Sequence, residues 1–172
     1  MIEIIKATNK DSELIVELGK QTFLESHGHC ASKEDVHSFI LNTYNKKAIC
    51  KEFENAKVQY YILYFKGKAA GFSKIEINTS NKNVDDLNIT KLDRIYLLKE
   101  FYDLKLGSKL FDFNIQLSKK QEQKGVWLAT WVENHRAINF YMKKGFKIVG
   151  EYSYKISEAH SNPNHIMYLK YS

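Results

Sequence analysis

Cysteine is scarce in this chain of 172 residues, with Cys30 and Cys50 the only two. Two thiols cannot build a disulfide framework, and these lack paired metal-ligand spacing, so both read as reduced. Arginine is scarcer still for so basic a chain. Of 26 basic residues only Arg94 and Arg136 are arginines, and the rest are lysines. Readers of base edges lean on the arginine fork, whereas scattered lysines mostly solvate a surface. There is no long basic run and no helix-turn-helix spacing, so the net charge of +6 does not point to nucleic acid. Long apolar runs are missing too, which excludes a membrane-spanning helix. The N-terminus lacks the basic-then-apolar layout of a secretory leader, and a cytoplasmic protein is the expectation. The glycosylation patterns at Asn78-Thr79-Ser80 and Asn88-Ile89-Thr90 are then chance matches.

What the chain does have is 44% hydrophobic residues, enough to bury a substantial core in one domain spanning residues 1–172. Ile2-Glu3-Ile4-Ile5 opens as a strand. Asp11-Ser12 is placed to cap a helix with apolar positions Leu14, Ile15, Leu18 and Phe23. Ser32 with Asp35 resembles a capping box ahead of Val36, Phe39 and Ile40. A short helix is expected from Lys46 to Ala56. Residues 58–65, a Lys66-Gly67 turn and residues 69–78 read as an antiparallel hairpin. Its second arm alternates Ile75 and Ile77 with Lys74 and Glu76, which predicts a solvated face. A polar loop follows over residues 79–88, then a strand over residues 92–98. Leu106, Leu110, Phe113 and Leu117 define an amphipathic helix starting near Lys105.

The densest chemistry lies in residues 131–146. Asn134 stands where the apolar strand Val126-Trp127-Leu128-Ala129-Thr130-Trp131 gives way to a short helix, and it suits an N-cap. Lys143 and Lys144 complement the negative end of that helix, and Gly145 is the natural residue just past it. Asn134 and Tyr141 fall about two turns apart on one face. By geometry alone this is either an ordinary strand-helix-strand unit with a buried aromatic pair or a tyrosine held as a proton donor.

Asn134, Ala137, Phe140, Tyr141, Gly145 and Phe146 reproduce the N-x-x-A-x-x-F-Y-x-x-x-G-F signature of the GNAT (Gcn5-related N-acetyltransferase) superfamily, which the chain resembles. Within it the chain looks most like PaiA-type spermidine/spermine N-acetyltransferases. That closer likeness is carried by Asp93-Arg94-Ile95-Tyr96, Val126-Trp127-Leu128, Trp131-x-x-Asn134 and the Ile166-Met167 ending. It is strong from about Leu92 onward and loose before. The resemblance implies an α/β acyl-CoA N-acyltransferase fold, a mixed and mostly antiparallel central sheet flanked by helices and splayed where the cofactor enters. It implies acetyl transfer from acetyl-CoA to a primary amine, a polyamine or similar small cation. A protein amine or an aminated xenobiotic is the alternative acceptor, and a CoA-binding regulatory module with little catalysis is the alternative class.

The site the resemblance implies divides in three. The pantetheine arm would pair with the strand at Ile95, Tyr96, Leu97 and Leu98, and a free N–H there would polarise the acetyl carbonyl. The pyrophosphate would sit on N–H groups of Lys105, Leu106, Gly107, Ser108 and Lys109, since first-turn amides have no intrahelical partner. The family pattern there is Arg/Gln-x-x-Gly-x-Gly/Ala, and this chain reads Tyr102-Asp103-Leu104-Lys105-Leu106-Gly107, keeping only the last glycine. Asn134, Ala137, Phe140, Tyr141 and Lys143 complete the cofactor surface. Tyr141 would protonate the departing thiolate. Asp93, read as sharing a strand face with Ile95 and Leu97, would take the amine proton through water; PaiA-like chains carry a second acid where this one has Lys91. Glu25, Glu34, Asp35, Asp85 and Asp86 are the candidates for an acidic acceptor lining. His27-Gly28-His29-Cys30 lacks a second ligand pair, so no metal is expected. A monomer or homodimer fits equally.

Overall fold

Local capping sets the helix starts. Thr8 and Asp11 form a reciprocal capping box around one 3-10 turn after strand β1 (Ile2–Lys6). Asp11 is therefore engaged backward and gives no side-chain cap to helix α1 (Ser12–His27), unlike the sequence expectation. Ser32 Oγ accepts the Asp35 N–H at 3.1 Å ahead of α2 (Lys33–Thr43), the forward half of the expected box. Asn45 Oδ1 accepts the Ala48 N–H at 2.9 Å ahead of α3, which runs Lys46–Phe53 and stops short of Ala56. The computed structural model describes residues 1–172.

The hairpin forms as β2 (Val58–Phe65) and β3 (Lys68–Glu76), with Lys66 and Gly67 both at positive φ in its turn. Then come β4 (Thr90–Leu97), α4 (Leu106–Lys120), β5 (Gly125–Trp131), α5 (His135–Lys143), β6 (Lys147–Lys155) and β7 (Ser161–Lys170). The seven strands make one sheet in the order β1-β2-β3-β4-β5-β7-β6, and only β4 and β5 run parallel. One core cluster joins Ile15, Leu18, Val36, Ile40 and Ile49 of the first three helices to Tyr60, Ile62 and Phe72. Another joins Phe111 and Ile115 of α4 and Tyr141 of α5 to Ile75, Leu92, Val126 and Leu128. No helix is long and apolar enough to cross a membrane.

One irregularity decides which way the middle of β4 faces. Lys74 pairs with Arg94 but Ile75 pairs with Leu92, so Asp93 is an extra residue in a bulge. A bulge leaves one residue unpaired and shifts the alternation of side chains. Asp93 consequently turns to the side of Lys74 and Arg94, whose side chains it meets, rather than sharing a face with Ile95 and Leu97. The same arrangement overturns the solvated face expected of β3: Lys74 is only 6% exposed.

Candidate active site

The two parallel strands are hydrogen-bonded over only Thr90↔Val126 and Lys91↔Trp127. Beyond that pair they diverge, and residues 92–97 of β4 keep β3 as a partner on one edge only. In a ladder, alternate N–H and C=O groups point to each side, so the free edge offers an extended chain a place to pair. A cleft of about 970 Å³ opens at this divergence. Its walls include Ile95, Tyr96 and Leu97 of β4, Trp131 of β5, Leu106, Gly107 and Ser108 of α4, and Asn134, Ala137, Phe140 and Tyr141.

One end of the cleft is built for an anion. None of the six N–H groups from Asp103 to Ser108 donates a hydrogen bond within the protein. Asp103 (φ 65°) and Lys105 (φ 60°) lie in the left-handed region, a backbone alternation that gathers successive amides into a concave nest. Lys105 is therefore not in an ordinary helical conformation. It stands where the family pattern has glycine, and a left-handed backbone costs a non-glycine residue about 1–2 kcal/mol. At Gly107 a Cβ would meet only Leu97 Cδ1, at 3.4 Å, so the space in front of it is open. Cations ring this end. Lys144 Nζ donates to Ser108 Oγ at 3.0 Å and pairs with Asp112 at 2.8 Å, while Arg136 stacks on Tyr102 and reaches Asp103 at 3.3 Å.

Tyr141 is 8% exposed, with its ring 5.4 Å from Phe146, 5.5 Å from Phe140 and 6.2 Å from Phe111. Three aromatic neighbours fix the ring, and its hydroxyl has no protein partner. Burial pushes the phenol well above its ordinary value, so it stays protonated. Asn134 caps α5 by accepting the Ala137 N–H at 3.3 Å.

Asp93 sits in a different setting. Its carboxylate meets Lys91 at 2.9 Å, Lys74 at 3.0 Å and Arg94 at 3.5 Å. Burial alone would raise its pKa, but the cations of Lys74, Arg94 and Lys91 outweigh burial and hold it well below the usual carboxylate range. Glu52 joins the cluster through Lys74 at 2.9 Å and Arg94 at 3.3 Å. Arg94 also donates to Tyr60 Oη at 2.7 Å and lies over the Tyr44 ring. Tyr44 reaches this position because Gly19 leaves room: a Cβ there would collide with the Tyr44 ring.

The far end of the cleft is aromatic rather than acidic. Phe23, Phe39, Tyr44, Tyr96, Tyr152 and Tyr154 line it. Of the five acids expected there only Glu25 is present, and both its oxygens are engaged, by Lys99 N–H at 2.7 Å and Gln21 at 3.1 Å. Glu34 and Asp35 border a separate hollow beside Ser157 and Glu158, and Asp86 is held by Tyr168 and Lys170. The acids are spread along α1, α2 and the loop before β4, which the fold does not bring together.

A model described as the acetyltransferase (GNAT) family matches residues 17–146. The chain belongs to that family. It is an acetyl-CoA-dependent N-acetyltransferase. An uncharacterized N-acetyltransferase in the pepI 3′ region of Lactobacillus delbrueckii subsp. lactis is 27% identical over 157 residues, covering 91% of both chains. A spermidine N(1)-acetyltransferase of Thermoplasma acidophilum is 27% identical over 154 residues, 86% of this chain and 89% of that one. The crystal structure of the PaiA N-acetyltransferase of Thermoplasma acidophilum in complex with coenzyme A covers 99% of each chain with a TM-score of 0.79 and 24% identity.

In this acetyltransferase the cleft gathers Ile95, Tyr96, Leu97, Lys105, Leu106, Gly107, Ser108, Asn134, Ala137, Phe140 and Tyr141 from the residues expected by sequence. Three others fall outside its walls. Leu98 has left the strand, is buried in the core and donates its N–H to Ala70. Lys109 is one turn into α4, where its N–H is taken by Lys105 C=O at 3.2 Å. Lys143 is exposed, and its neighbour Lys144 is the lysine turned toward Ser108. The proton-acceptor role expected of Asp93 does not suit a carboxylate that already holds three cations. Arg136, Lys144, His27 and the tyrosines of β6 were not legible as site residues. A lysine or tyrosine in a polar run carries no signal until the sheet order is known.

Proposed function

We propose that the protein acetylates the primary amine of a small molecule, with polyamines the first acceptor class to test. The observation that carries the reading is the divergence of β4 from β5 beside a run of six unpartnered amides. Acetyl-CoA, when bound, supplies an activated thioester carbonyl. The amides of Asp103 to Ser108 would hold its pyrophosphate, with Lys105, Arg136 and Lys144 adding charge. The free edge of β4 would take the pantetheine arm as an added strand, and an N–H near Tyr96 or Leu97 would polarise the carbonyl. Tyr141 would give its proton to the leaving sulfur, and Asn134 would hydrogen-bond the arm. Polyamine acceptance is supported by the 27% identical spermidine N(1)-acetyltransferase and by the aromatic walls, which attract ammonium groups.

Thiol release from acetyl-CoA against a panel of amines tests the reading. Spermidine and spermine are expected to turn over well above butylamine. Equal rates for butylamine and spermidine would remove polyamine recognition. Absence of turnover with every amine, alongside tight coenzyme A binding, would favour a cofactor-sensing module instead.

A further inference from the structure

Acetyl transfer to an amine, the reading on which this inference rests, leaves the amine's proton without an acceptor. Four cleft-lining side chains have the chemistry to take it: Glu25, His27, Asp93 and Asp103. Glu25 has both oxygens occupied, Asp93 holds three cations, and Asp103 pairs with Arg136 at the other end. His27 remains, and its surroundings fix its orientation and favour one tautomer.

Ser26 Oγ lies 2.8 Å from Thr22 C=O and 2.6 Å from His27 Nδ1. A hydroxyl has one proton, and a carbonyl can only accept, so Ser26 donates to Thr22. With that proton on the Thr22 carbonyl, the Oγ is left to accept from Nδ1–H, an arrangement that puts the imidazole proton on Nδ1 and leaves the Nε2 lone pair free. Nε2 has no protein partner and is not sealed from the cleft that the ring lines. Phe23 stacks on the ring at 5.0 Å, with Trp131 at 5.8 Å and the edge of Tyr96 at 6.1 Å. Tyr96 and Trp131 belong to the two diverging strands, so the imidazole stands at the throat between them. Burial first, and the charge of His29 second, lower its pKa to about 4, which keeps the lone pair available at neutral pH.

We propose that His27 Nε2 takes the proton of the attacking amine, and that Ser26 is the positioning residue that keeps Nε2 unprotonated. The amine enters as its free base after an ammonium proton passes to solvent. As the N–C bond forms, the nitrogen gives one proton to Nε2. The C–S bond breaks and the sulfur takes the Tyr141 proton. Solvent then carries the imidazolium proton back to the Tyr141 phenolate, restoring both side chains. A weak base suffices here, because an amine nitrogen becomes strongly acidic as its lone pair enters the new bond.

Nitrogen-correlated NMR of the imidazoles in the protein without cofactor should show His27 protonated at Nδ1 and bare at Nε2. His27→Gln should lower kcat by about 10²-fold with unchanged acetyl-CoA affinity, since an amide accepts a hydrogen bond but not a proton. Added imidazole should restore part of the turnover of His27→Ala, while pyrrole, which lacks a basic nitrogen, should not. Ser26→Ala should populate the other tautomer and lower kcat by a smaller factor. A proton on Nε2, or native kcat in His27→Gln with chemistry limiting the rate, would overturn the proposal. Failure of the native protein with every amine would instead overturn the acetyl-transfer reading itself.

Discussion

Replacing Tyr141 by phenylalanine removes one atom group whose surroundings are known on every side. The ring packs against Phe111, Phe140 and Phe146, and phenylalanine keeps all three contacts. The hydroxyl donates to nothing in the protein, so its loss breaks no hydrogen bond. The hydroxyl is not sealed from the cleft that Tyr141 lines, so removing it leaves no buried polar group unpaired. Thermal stability is therefore expected to hold. Rate should move the other way. A lost general acid typically lowers turnover by about 10²–10⁴, and a thiol leaves readily, which puts the expectation near 10², or about 2.7 kcal/mol in the barrier. Thiol release under single-turnover conditions reads the chemical step, and calorimetric titration reads acetyl-CoA affinity, which should not change. Native single-turnover rates across pH 6 to 9 would refute the assignment of Tyr141 as proton donor. A matched fall in stability and rate would show that the hydroxyl supports the fold instead.

Lys105→Gly is expected to stabilise the protein by about 0.5–1 kcal/mol, because a left-handed backbone is unstrained only for glycine, while acetyl-CoA affinity measured by calorimetry changes little. Gly107→Val should weaken that affinity at least about tenfold, since the branched side chain would stand in the open space before the amides. Asp93→Asn should destabilise by about 3–5 kcal/mol in urea unfolding, as Lys74 and Arg94 lose a buried counter-charge; a change under about 1 kcal/mol would mean the network is not structural. His27 has its folded pKa lowered from the ordinary 6.5 to about 4. Between those values the unfolded chain binds the proton and the folded one does not, so stability falls as pH drops from 6.5 toward 4. His27→Phe should flatten that slope in chemical denaturation, and an unchanged slope would place the acid sensitivity elsewhere.

The elements that sequence located well are those whose signals are local. Asn134 and Gly145 bracket α5 because an N-cap and a left-handed exit (φ 99° at Gly145) are properties of a few neighbouring residues. The hairpin around Lys66-Gly67 was legible for the same reason. The cofactor half of the site inherits this, since β4, the amide nest and α5 follow one another along the chain. The acceptor half does not. Phe23 and His27 come from α1, Tyr44 follows α2, and Tyr152 and Tyr154 lie on β6, and only the sheet order brings them to one chamber. His27 illustrates the limit: read along the chain it belongs to a short histidine-and-cysteine run with no second ligand pair and no assigned role. In the fold its ring packs against Tyr96 and Trp131, on two strands more than sixty residues distant, and His29 meets the same Trp131 ring.

The bulge in β4 explains why alternation misled at Lys74 and at Asp93 together. Period-two reasoning assigns faces by counting, and one extra residue reverses every assignment beyond it. Counting from Ile95 puts Asp93 on the face of Leu97; counting across the bulge puts it beside Arg94. Lys74 looks like a solvated lysine, alternating with Ile75, until the same bulge delivers Asp93, and α3 delivers Glu52, to an ammonium that Glu76 also meets at 3.2 Å. Three acids, Glu52, Glu76 and Asp93, then offset Lys74 and Arg94 in the interior, where an isolated charge would cost several kcal/mol. A carboxylate committed to that balance cannot also cycle a proton at each turnover without exposing two buried cations. The bulge thus does more than bend the strand: by turning Asp93 into the charge cluster it leaves the throat of the cleft to a neutral base from another element, and His27 is the side chain that occupies it.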